Sequence, residues 1–199
     1  MCKCVFGCAS KVREILKATG TSGIFVTHDQ QEAMAIADSV AVMRQGRLEQ
    51  VGTPEEIYTQ PTTRFTAQFV TGANFIPATR KGQLWETEVG CFVDSQETED
   101  RRQETGELMI REEDMILKPD DDGSVVIRTR RFLGREYRYC LQTPSGKELH
   151  ARTTTETALP VGTRVELTVA EEAIRVFPTA NTKSFAAIAP RTHNKLRKS

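Results

Sequence analysis

The first third of the chain alternates apolar runs with polar turns, in an order typical of mixed helix and strand structure. Apolar residues at helical spacing lie between a capping residue, Ser10, and a stop signal, Gly20. The run from Ile24 to Thr27 is apolar and rich in β-branched residues, which predicts a buried strand. A helix followed by a strand is the repeating step of a parallel α/β sheet.

A polar pair, His28 and Asp29, follows the predicted strand directly. In open α/β sheets ligands bind at the carboxyl ends of strands, so His28 is the first candidate for a ligand contact. Asp29 and Glu32 have the spacing of a capping box, which predicts a helix to about Asp38. We expect this helix to bury a stripe of small and apolar residues, namely Ala33, Met34 and Ala37.

Residues 39–72 give clear signals for a hairpin and two helices. Two alternating runs, 39–44 and 47–51, flank a Gln-Gly turn and predict a β-hairpin. Thr53, Pro54 and Glu56 form a helix start, and Pro61 ends that helix. A further helix is predicted from about Thr63 to just before Gly72, and the domain boundary at residues 71–73.

The pattern changes after Asn74 to short alternating segments separated by turns, which predicts a small barrel or sandwich. The predicted strands are Leu84 to Val89, Leu108 to Arg111, Val125 to Phe132, Glu136 to Gln142, Glu148 to Thr153, Arg164 to Val169 and Ile174 to Phe177. The charged stretch from Asp94 to Gly106 is interpreted as a solvated loop, and the basic segment from Thr179 as a disordered tail.

Composition narrows the class of protein. The 199 residues carry no formal net charge, so nothing suggests a global attraction to nucleic acid or anionic lipid. No apolar run approaches the roughly 20 residues that a membrane helix needs. The five cysteines form no CxxC pair, and the cluster Cys2, Cys4 and Cys8 lacks a fourth metal ligand at zinc-site spacing, so no metal site is expected. Residues 1–8 are interpreted as an unstructured leader.

The motifs together resemble a known family. Residues 21–72 resemble the last part of the nucleotide-binding domain of an ATP-binding cassette (ABC) importer ATPase, through the Val-Thr-His-Asp stretch ending at Asp29 and the run Gly-Thr-Pro-Glu-Glu-Ile-Tyr at 52–58. Residues 73–178 resemble the TOBE domain, a small barrel related to the oligonucleotide-binding (OB) fold. The motifs that carry this second match are Asn74-Phe75, Ile110 to Asp114, Phe132-Leu133-Gly134 and Leu159 to Gly162.

The resemblance implies a fold class and a domain organisation. We expect an α/β remnant of a nucleotide-binding domain followed by an all-β OB-like TOBE barrel, α+β overall. The expected domains are the leader at 1–8, the nucleotide-binding remnant at 9–72, the regulatory barrel at 73–178 and the basic tail at 179–199.

The resemblance also assigns roles to residues. His28 corresponds to the histidine that contacts the γ-phosphate of ATP and helps to position the attacking water, and a neutral imidazole can donate and accept protons in that way. It is the single residue implied for both catalysis and cofactor contact. Structural or regulatory roles are implied for Asp29, Glu32, Arg111, Glu112, Gly134 and Gly162.

Phosphoryl transfer also needs a glycine-rich phosphate loop and a carboxylate at the end of another strand. The sequence contains no G-x-x-x-x-G-K-[ST], no Leu-Ser-Gly-Gly signature and no apolar strand ending in Asp-Glu before His28. The intact family uses ATP and Mg²⁺, but we expect neither to bind well to this chain alone. We interpret the chain as a truncated remnant, or as a part whose other half is encoded separately.

The implied partners are permease subunits and a second ATPase subunit, with a homodimer in the intact family and no nucleic acid. The implied location is the cytoplasm, at the inner face of the plasma membrane when assembled. Ferric iron is the solute favoured by the resemblance, with polyamine, sugar, sulfate or thiamine as neighbours. Residues 9–72 are expected to be poorly stable or self-associating, because an apolar strand without neighbours exposes unpaired backbone groups.

Two other functions fit parts of the sequence. A barrel that binds single-stranded nucleic acid could use a basic, aromatic stretch, whose members are Arg128, Arg130, Arg131, Phe132, Arg135, Tyr137, Arg138 and Tyr139. Strand alternation separates Tyr137 and Tyr139 from the even-numbered residues, which favours core and solvated faces instead. A barrel that binds a small anion could use Arg111 and Arg152.

Overall fold

We describe the fold from a computed structural model, which describes residues 3–93, 104–156 and 158–179, with only the backbone of residues 3–10. The predicted loop at 94–106 lies mostly outside these residues, as do the predicted tail from 180 onward and the side chains of Cys2, Cys4 and Cys8. In the described part of the chain, no helix has the length and apolar content that crossing a bilayer requires.

The helical elements are concentrated before residue 72. Four helices and one hairpin precede the β domain in this order: α1 (Lys3–Thr19), α2 (Gln30–Ile36), β1 (Val40–Arg44), β2 (Arg47–Gly52), α3 (Pro54–Thr59) and α4 (Arg64–Thr71). Helix α1 begins seven residues before the predicted cap at Ser10, so it includes most of the segment that we interpreted as an unstructured leader.

The predicted strand from Ile24 to Thr27 is wrong. Residues 21–27 have no regular secondary structure, and Ile24 and Val26 are 98% and 90% exposed. A strand needs a hydrogen-bonded neighbour, and within the described residues nothing pairs with this segment. The apolar run is therefore exposed and unpaired, although its composition is that of a buried strand.

The start of α2 agrees with the sequence, while its packing does not. The Asp29 carboxylate caps the helix by accepting hydrogen bonds from the backbone N–H groups of Gln31 and Glu32. The predicted buried stripe on this helix is wrong, because none of its residues is buried. The helix is held by Gln30, whose side-chain amide donates to the backbone oxygen of Phe69, by Arg13, which donates to Ala35 O (3.4 Å), and by Met34, which packs partly buried against Val42, Ile57 and Val70.

Helices α3 and α4 begin and end as their sequences predict. Thr53 and Glu56 form a complete capping box, with Thr53 Oγ1 accepting from Glu56 N and Glu56 Oε2 accepting from Thr53 N. Helix α4 ends at Gly72, which has φ +64°, a left-handed conformation that glycine adopts without strain. Ala67 of α4 packs against Phe75, Met109 and Phe177, so this helix shares a core with the sheets.

The β domain contains two antiparallel five-stranded sheets. Its strands are β3 (Asn74–Lys81), β4 (Leu84–Thr87), β5 (Gly90–Val93), β6 (Thr105–Ile110), β7 (Ile116–Pro119), β8 (Val125–Phe132), β9 (Glu136–Gln142), β10 (Glu148–Thr154), β11 (Arg164–Thr168) and β12 (Arg175–Pro178). The strand orders are β12-β6-β3-β4-β5 and β10-β9-β8-β11-β7. The sequence did not single out β3, β5 or β7.

A single hydrophobic core joins the two sheets. Trp85 and Leu108 from the first sheet pack with Ile127, Tyr139 and Leu141 from the second, and all five are 2% exposed or less. The predicted α/β remnant followed by a barrel-like β domain is therefore the fold class of this protein. The predicted hairpin is present as β1–β2, and no parallel strand pairing occurs in the described residues.

Candidate functional site

The histidine segment is the first of two polar sites that the sequence predicted. His28 lies between the irregular segment 21–27 and the N-terminus of α2, is exposed, and has no hydrogen-bond partner in the described part of the chain. Thr27 donates its hydroxyl to Glu32 Oε2 (3.0 Å) and accepts from the backbone N–H of Asp29 (3.0 Å). Thr27, Asp29 and Glu32 thus fix the backbone on both sides of His28 and leave its imidazole free.

The capping box predicted for Asp29 and Glu32 is half present. The Asp29 side chain caps the helix as predicted, while the Glu32 carboxylate bonds to the Thr27 hydroxyl instead of the cap backbone. Because His28 lies between these contacts, Thr27 stabilises the backbone on both sides of it. Sequence spacing did not reveal this role of Thr27.

The second site lies at the short 3-10 turn Glu112–Asp114, between β6 and β7. Glu112 is 3% exposed, and its carboxylate accepts hydrogen bonds from Arg138 and Arg152 at 2.6–3.0 Å. Arg152 also donates to Glu136 (3.1 Å). One buried carboxylate therefore joins the turn to strands β9 and β10.

The environment keeps Glu112 ionised. Burial alone would raise its pKa, but the hydrogen bonds and charges of Arg138 and Arg152 outweigh burial and hold the pKa below the usual range of a glutamate. The carboxylate uses both oxygens on these two guanidinium groups. The arrangement is a structural ion-pair cluster whose charges largely cancel.

Neighbouring residues of the same turn contact helix α3. Arg111 Nη2 donates to the backbone oxygens of Tyr58 (3.2 Å) and Thr59 (3.4 Å), and its guanidinium carbon lies 5.2 Å from the centroid of the Tyr58 ring. The Tyr58 hydroxyl donates to Glu113. Burial, together with the hydrogen bond and negative charge of Glu113, raises the pKa of Tyr58 to about 12.

Arg111 and Arg152 are therefore not brought together as a simple anion site. Arg111 is committed to α3 and to Asp114, which it contacts at 3.2 Å, and Arg152 is committed to Glu112 and Glu136. The turn 111–114 instead connects three parts of the fold: helix α3, strand β9 and strand β10. Sequence reasoning missed Tyr58, whose partner Glu113 is 55 residues away along the chain.

The two glycines with implied roles are at turns. Gly134 has φ +92° in the β8–β9 turn, which Leu133 N and Glu136 O close at 2.9 Å. Gly162, also at φ +92°, donates its N–H to Ile127 O (2.8 Å). Both glycines provide backbone conformations that other residues rarely adopt, so their roles here are structural.

The aromatic residues of the basic stretch do not form one stacking surface. Tyr139 is fully buried, and its hydroxyl accepts the N–H of Leu159 (3.0 Å). The Tyr137 ring lies against Phe132 (5.3 Å between centroids) and under Arg130 (5.2 Å). Of these three rings only Phe132 is exposed. Strand alternation had indicated that Tyr139 belongs to a core face, and it is buried.

Asn74 is a further structural residue, and its position in the core was not predicted. It is 7% exposed, and its side chain exchanges hydrogen bonds with the backbone of His150, accepting at 2.7 Å and donating at 2.8 Å. It thereby joins β3 of one sheet to β10 of the other. In the described residues no cluster of three or more potential metal ligands occurs.

Comparison with known proteins gives one family match and several relatives. Residues 108–177 match the TOBE domain model. A sulfate/thiosulfate import ATP-binding protein of Chromobacterium violaceum is 49% identical over 114 residues, which are 55% of this chain and 31% of that protein.

Two more relatives carry different solute names. A spermidine/putrescine import ATP-binding protein of Borrelia garinii is 36% identical over 134 residues (66% of this chain, 39% of that protein). An Fe(3+) ions import ATP-binding protein of Fusobacterium nucleatum is 28% identical over 172 residues (83% of this chain, 46% of that protein). The chain spans less than half the length of each of these relatives.

The predicted resemblance to ATP-binding subunits of ABC importers is thereby confirmed, while ferric iron as the solute is not. Residues 108–177 match the TOBE domain, and the relatives to which the chain is similar are ATP-binding subunits of ABC importers.

Proposed function

We propose that this chain is the C-terminal portion of an ABC importer ATP-binding subunit and that it takes part in ATP-driven solute uptake. The observation that carries the proposal is that the His28 segment precedes a match to the TOBE domain along the chain, which is the order that the sequence motifs predicted. His28 is the switch histidine, and the β domain is the regulatory domain.

His28 contacts the terminal phosphate of a bound nucleotide only when a phosphate-binding half is supplied. Its exposed imidazole is free to donate or accept a proton, and the contacts of Thr27 and Asp29 hold the backbone around it. ATP and Mg²⁺ would supply the transferred phosphoryl group and its charge neutralisation. The 199 residues contain no glycine-rich phosphate loop, so the chain alone binds neither well and does not hydrolyse ATP.

The partners follow from the same proposal. Permease subunits and a second ATPase subunit complete the transporter, at the inner face of the plasma membrane. Ferric iron is the solute that the sequence resemblance favours. The relatives are named for sulfate, spermidine and ferric iron. This variety supports the view that similar ATP-binding subunits serve different importers, and that other subunits select the solute.

The proposal is tested by measuring ATP hydrolysis with the chain alone and with a polypeptide that carries the phosphate loop and signature motif of a relative. We expect no turnover by the chain alone and turnover by the mixture. His28→Ala should abolish that turnover, because no other residue takes over the phosphate contact. His150→Ala is the matched control, since the His150 contacts with Asn74 use backbone atoms.

Turnover by the chain alone would contradict the proposal if it were lost in His28→Ala. Turnover of the mixture that is unchanged by His28→Ala would contradict the role of His28.

A further inference from the structure

The β8–β9 hairpin extends beyond the core of the β domain as an arm, residues 128–138. Val125 and Ile127 are fully buried, whereas every residue from 128 to 135 is exposed. Strand β11 pairs with β8 at Val125 and Val126, and Ile127 bonds to residues 162 and 163 just before β11, so among the described residues no strand pairs with the outer edge of β8 from residue 128 onward. Residues 128–135 are therefore exposed to solvent, while at the base of the arm Tyr137 packs against the β-domain core and Arg138 binds Glu112.

The arm is strongly basic. Its eleven residues include five arginines and one acid, Glu136, which pairs with Arg152 outside the arm. Arg128 and Arg130 bond to the neutral groups Gln142 Oε1 and Leu159 O, and only Arg138 is neutralised by a carboxylate. Arg131 and Arg135 have no partner in the described residues. The chain as a whole is neutral, so this charge is local.

The apex of the arm is apolar. Phe132 and Leu133 are 62% and 51% exposed at the turn, directly between Arg131 and Arg135. An exposed aromatic and an exposed leucine flanked by cations are the side chains that insert at the boundary between headgroups and acyl chains of a bilayer. Guanidinium groups on both sides would then meet anionic headgroups.

A nucleic acid fits this arm less well. Single-strand binding needs several aromatic faces on which successive bases stack. Here Tyr139 is buried, and Tyr137 is covered by Phe132 and Arg130. At the apex, Leu133 gives no stacking face, so Phe132 is the one exposed ring of the arm.

We propose that the arm is a contact site for an anionic lipid surface, with Phe132 and Leu133 inserting and Arg131 and Arg135 binding the headgroups. This inference does not depend on ATP hydrolysis, so it stands or falls separately from the proposed function. Charge complementarity and the apolar apex together determine the occupant. Zwitterionic lipid, which lacks net charge, would bind far less.

The test is co-sedimentation of the full chain with vesicles of phosphatidylcholine containing phosphatidylglycerol, at low and high salt. We expect binding that falls steeply with salt and is weak with pure phosphatidylcholine. Arg131→Glu with Arg135→Glu should weaken partitioning about thirtyfold or more. Phe132→Ser with Leu133→Ser should weaken it about tenfold, with a reduced dependence on acyl-chain packing.

Two controls keep the result specific to the arm. Arg47→Glu removes an exposed arginine at another hairpin turn, and Phe25→Ser with Val26→Ser removes exposed apolar side chains from the irregular segment 21–27. Both should bind vesicles as the unaltered chain does. Trp85 fluorescence, which reports on the β-domain core, should be the same in all variants.

The proposal is overturned by equal binding to neutral and anionic vesicles, by unchanged binding of both arm variants, or by loss of binding in the Phe25 and Val26 variant. It is also overturned if the arm binds single-stranded oligonucleotides with salt dependence while vesicles fail to bind.

Discussion

The segment before residue 53 and the β domain place their large apolar side chains differently. Val42 is the one buried apolar residue described before Ile57, while eight large apolar side chains there are exposed, namely Val12, Ile15, Ile24, Phe25, Val26, Met43, Leu48 and Val51. The β domain from residue 73 buries a continuous core between its two sheets. Buried apolar area is the main stabilising contribution to folding, so the β domain is the part equipped to fold by itself.

Helices α3 and α4 belong energetically with the β domain. Ala67 of α4 shares a core cluster with Phe75 and Phe177, and Arg64 contacts Glu107 (2.7 Å). The turn 111–114 holds α3 through Tyr58. The hairpin is attached to the same helices, because Val42 shares a buried cluster with Ile57 and Val70. The least packed part of the first region is therefore the segment 21–27, although the change in sequence pattern falls at residues 71–73.

The largest expected difference between the two regions is in their response to loss of a leucine or isoleucine side chain. Leu141→Ala in the β-domain core should lower the free energy of unfolding by about 2–5 kcal/mol, because it removes buried contacts and leaves a cavity. Ile24→Ala, at a 98% exposed position, should change it by less than about 0.5 kcal/mol. Urea unfolding followed by Trp85 fluorescence measures both. A large effect of Ile24→Ala would show that segment 21–27 is packed in solution.

Substitution of two glycines by alanine compares how tightly the backbone is packed in the same two regions. A Cβ at Gly123 would lie 2.6 Å from the backbone of Val165, so Gly123→Ala should destabilise the β domain by about 1–3 kcal/mol. A Cβ at Gly23 would meet only Leu16 side-chain atoms at 3.6 Å. Gly23→Ala should therefore leave the thermal midpoint of the β domain unchanged. Equal effects of the two substitutions would contradict the difference in packing.

The Glu112 cluster predicts an acid dependence confined to the β domain. The pKa of Glu112 is lower in the folded protein than in the unfolded chain, so its ionised carboxylate contributes stability fully above its ordinary pKa of about 4.3. That contribution is lost as the pH falls through the folded value. Glu112→Gln should lower the thermal midpoint at pH 7 and flatten its decline below pH 5.

Glu148→Gln is the control for this experiment, since Glu148 is exposed on β10 and contacts neither Arg138 nor Arg152. Its thermal midpoint should follow that of the unaltered chain. An unchanged acid profile in Glu112→Gln would contradict the importance of the cluster.

The smallest expected effect concerns the attachment of α3. Tyr58→Phe removes the hydroxyl that bonds to Glu113 and keeps the ring under Arg111. We expect a loss of about 0.5–1.5 kcal/mol in local stability, seen as faster amide exchange in α3. The β-domain core should exchange as before. Unchanged exchange in α3 would mean that the Arg111 contacts alone hold the helix.

Local signals in the sequence predicted much of the fold. The capping box at Thr53 and Glu56, the left-handed stop at Gly72 and the strands β8 and β9 depend on neighbouring residues, and all are present. The prediction of a strand from Ile24 to Thr27 failed because a buried strand depends on pairing partners, which composition cannot supply. Strand β3 was missed because Asn74 and Pro77 interrupt its alternation.

The candidate sites divide in the same way. Asp29 was predicted as a helix cap from its local spacing, and it is one. The contacts of Glu112 with Arg138 and Arg152 cross 26 and 40 residues of sequence, and those of Tyr58 with Glu113 cross 55. Such contacts are set by the packing of sheets and helices, so sequence spacing could name Arg111 and Glu112 but not what they bind.

Amide hydrogen exchange of the whole chain, with its mass measured in the same solution, tests the central claim most directly. Strands β3–β12 should exchange slowly, and residues 21–29 should exchange at nearly unprotected rates, because the former have paired backbone groups and the latter do not. Strong protection of residues 21–29 in a monomer would contradict the claim that the β domain is the self-sufficient part of this protein.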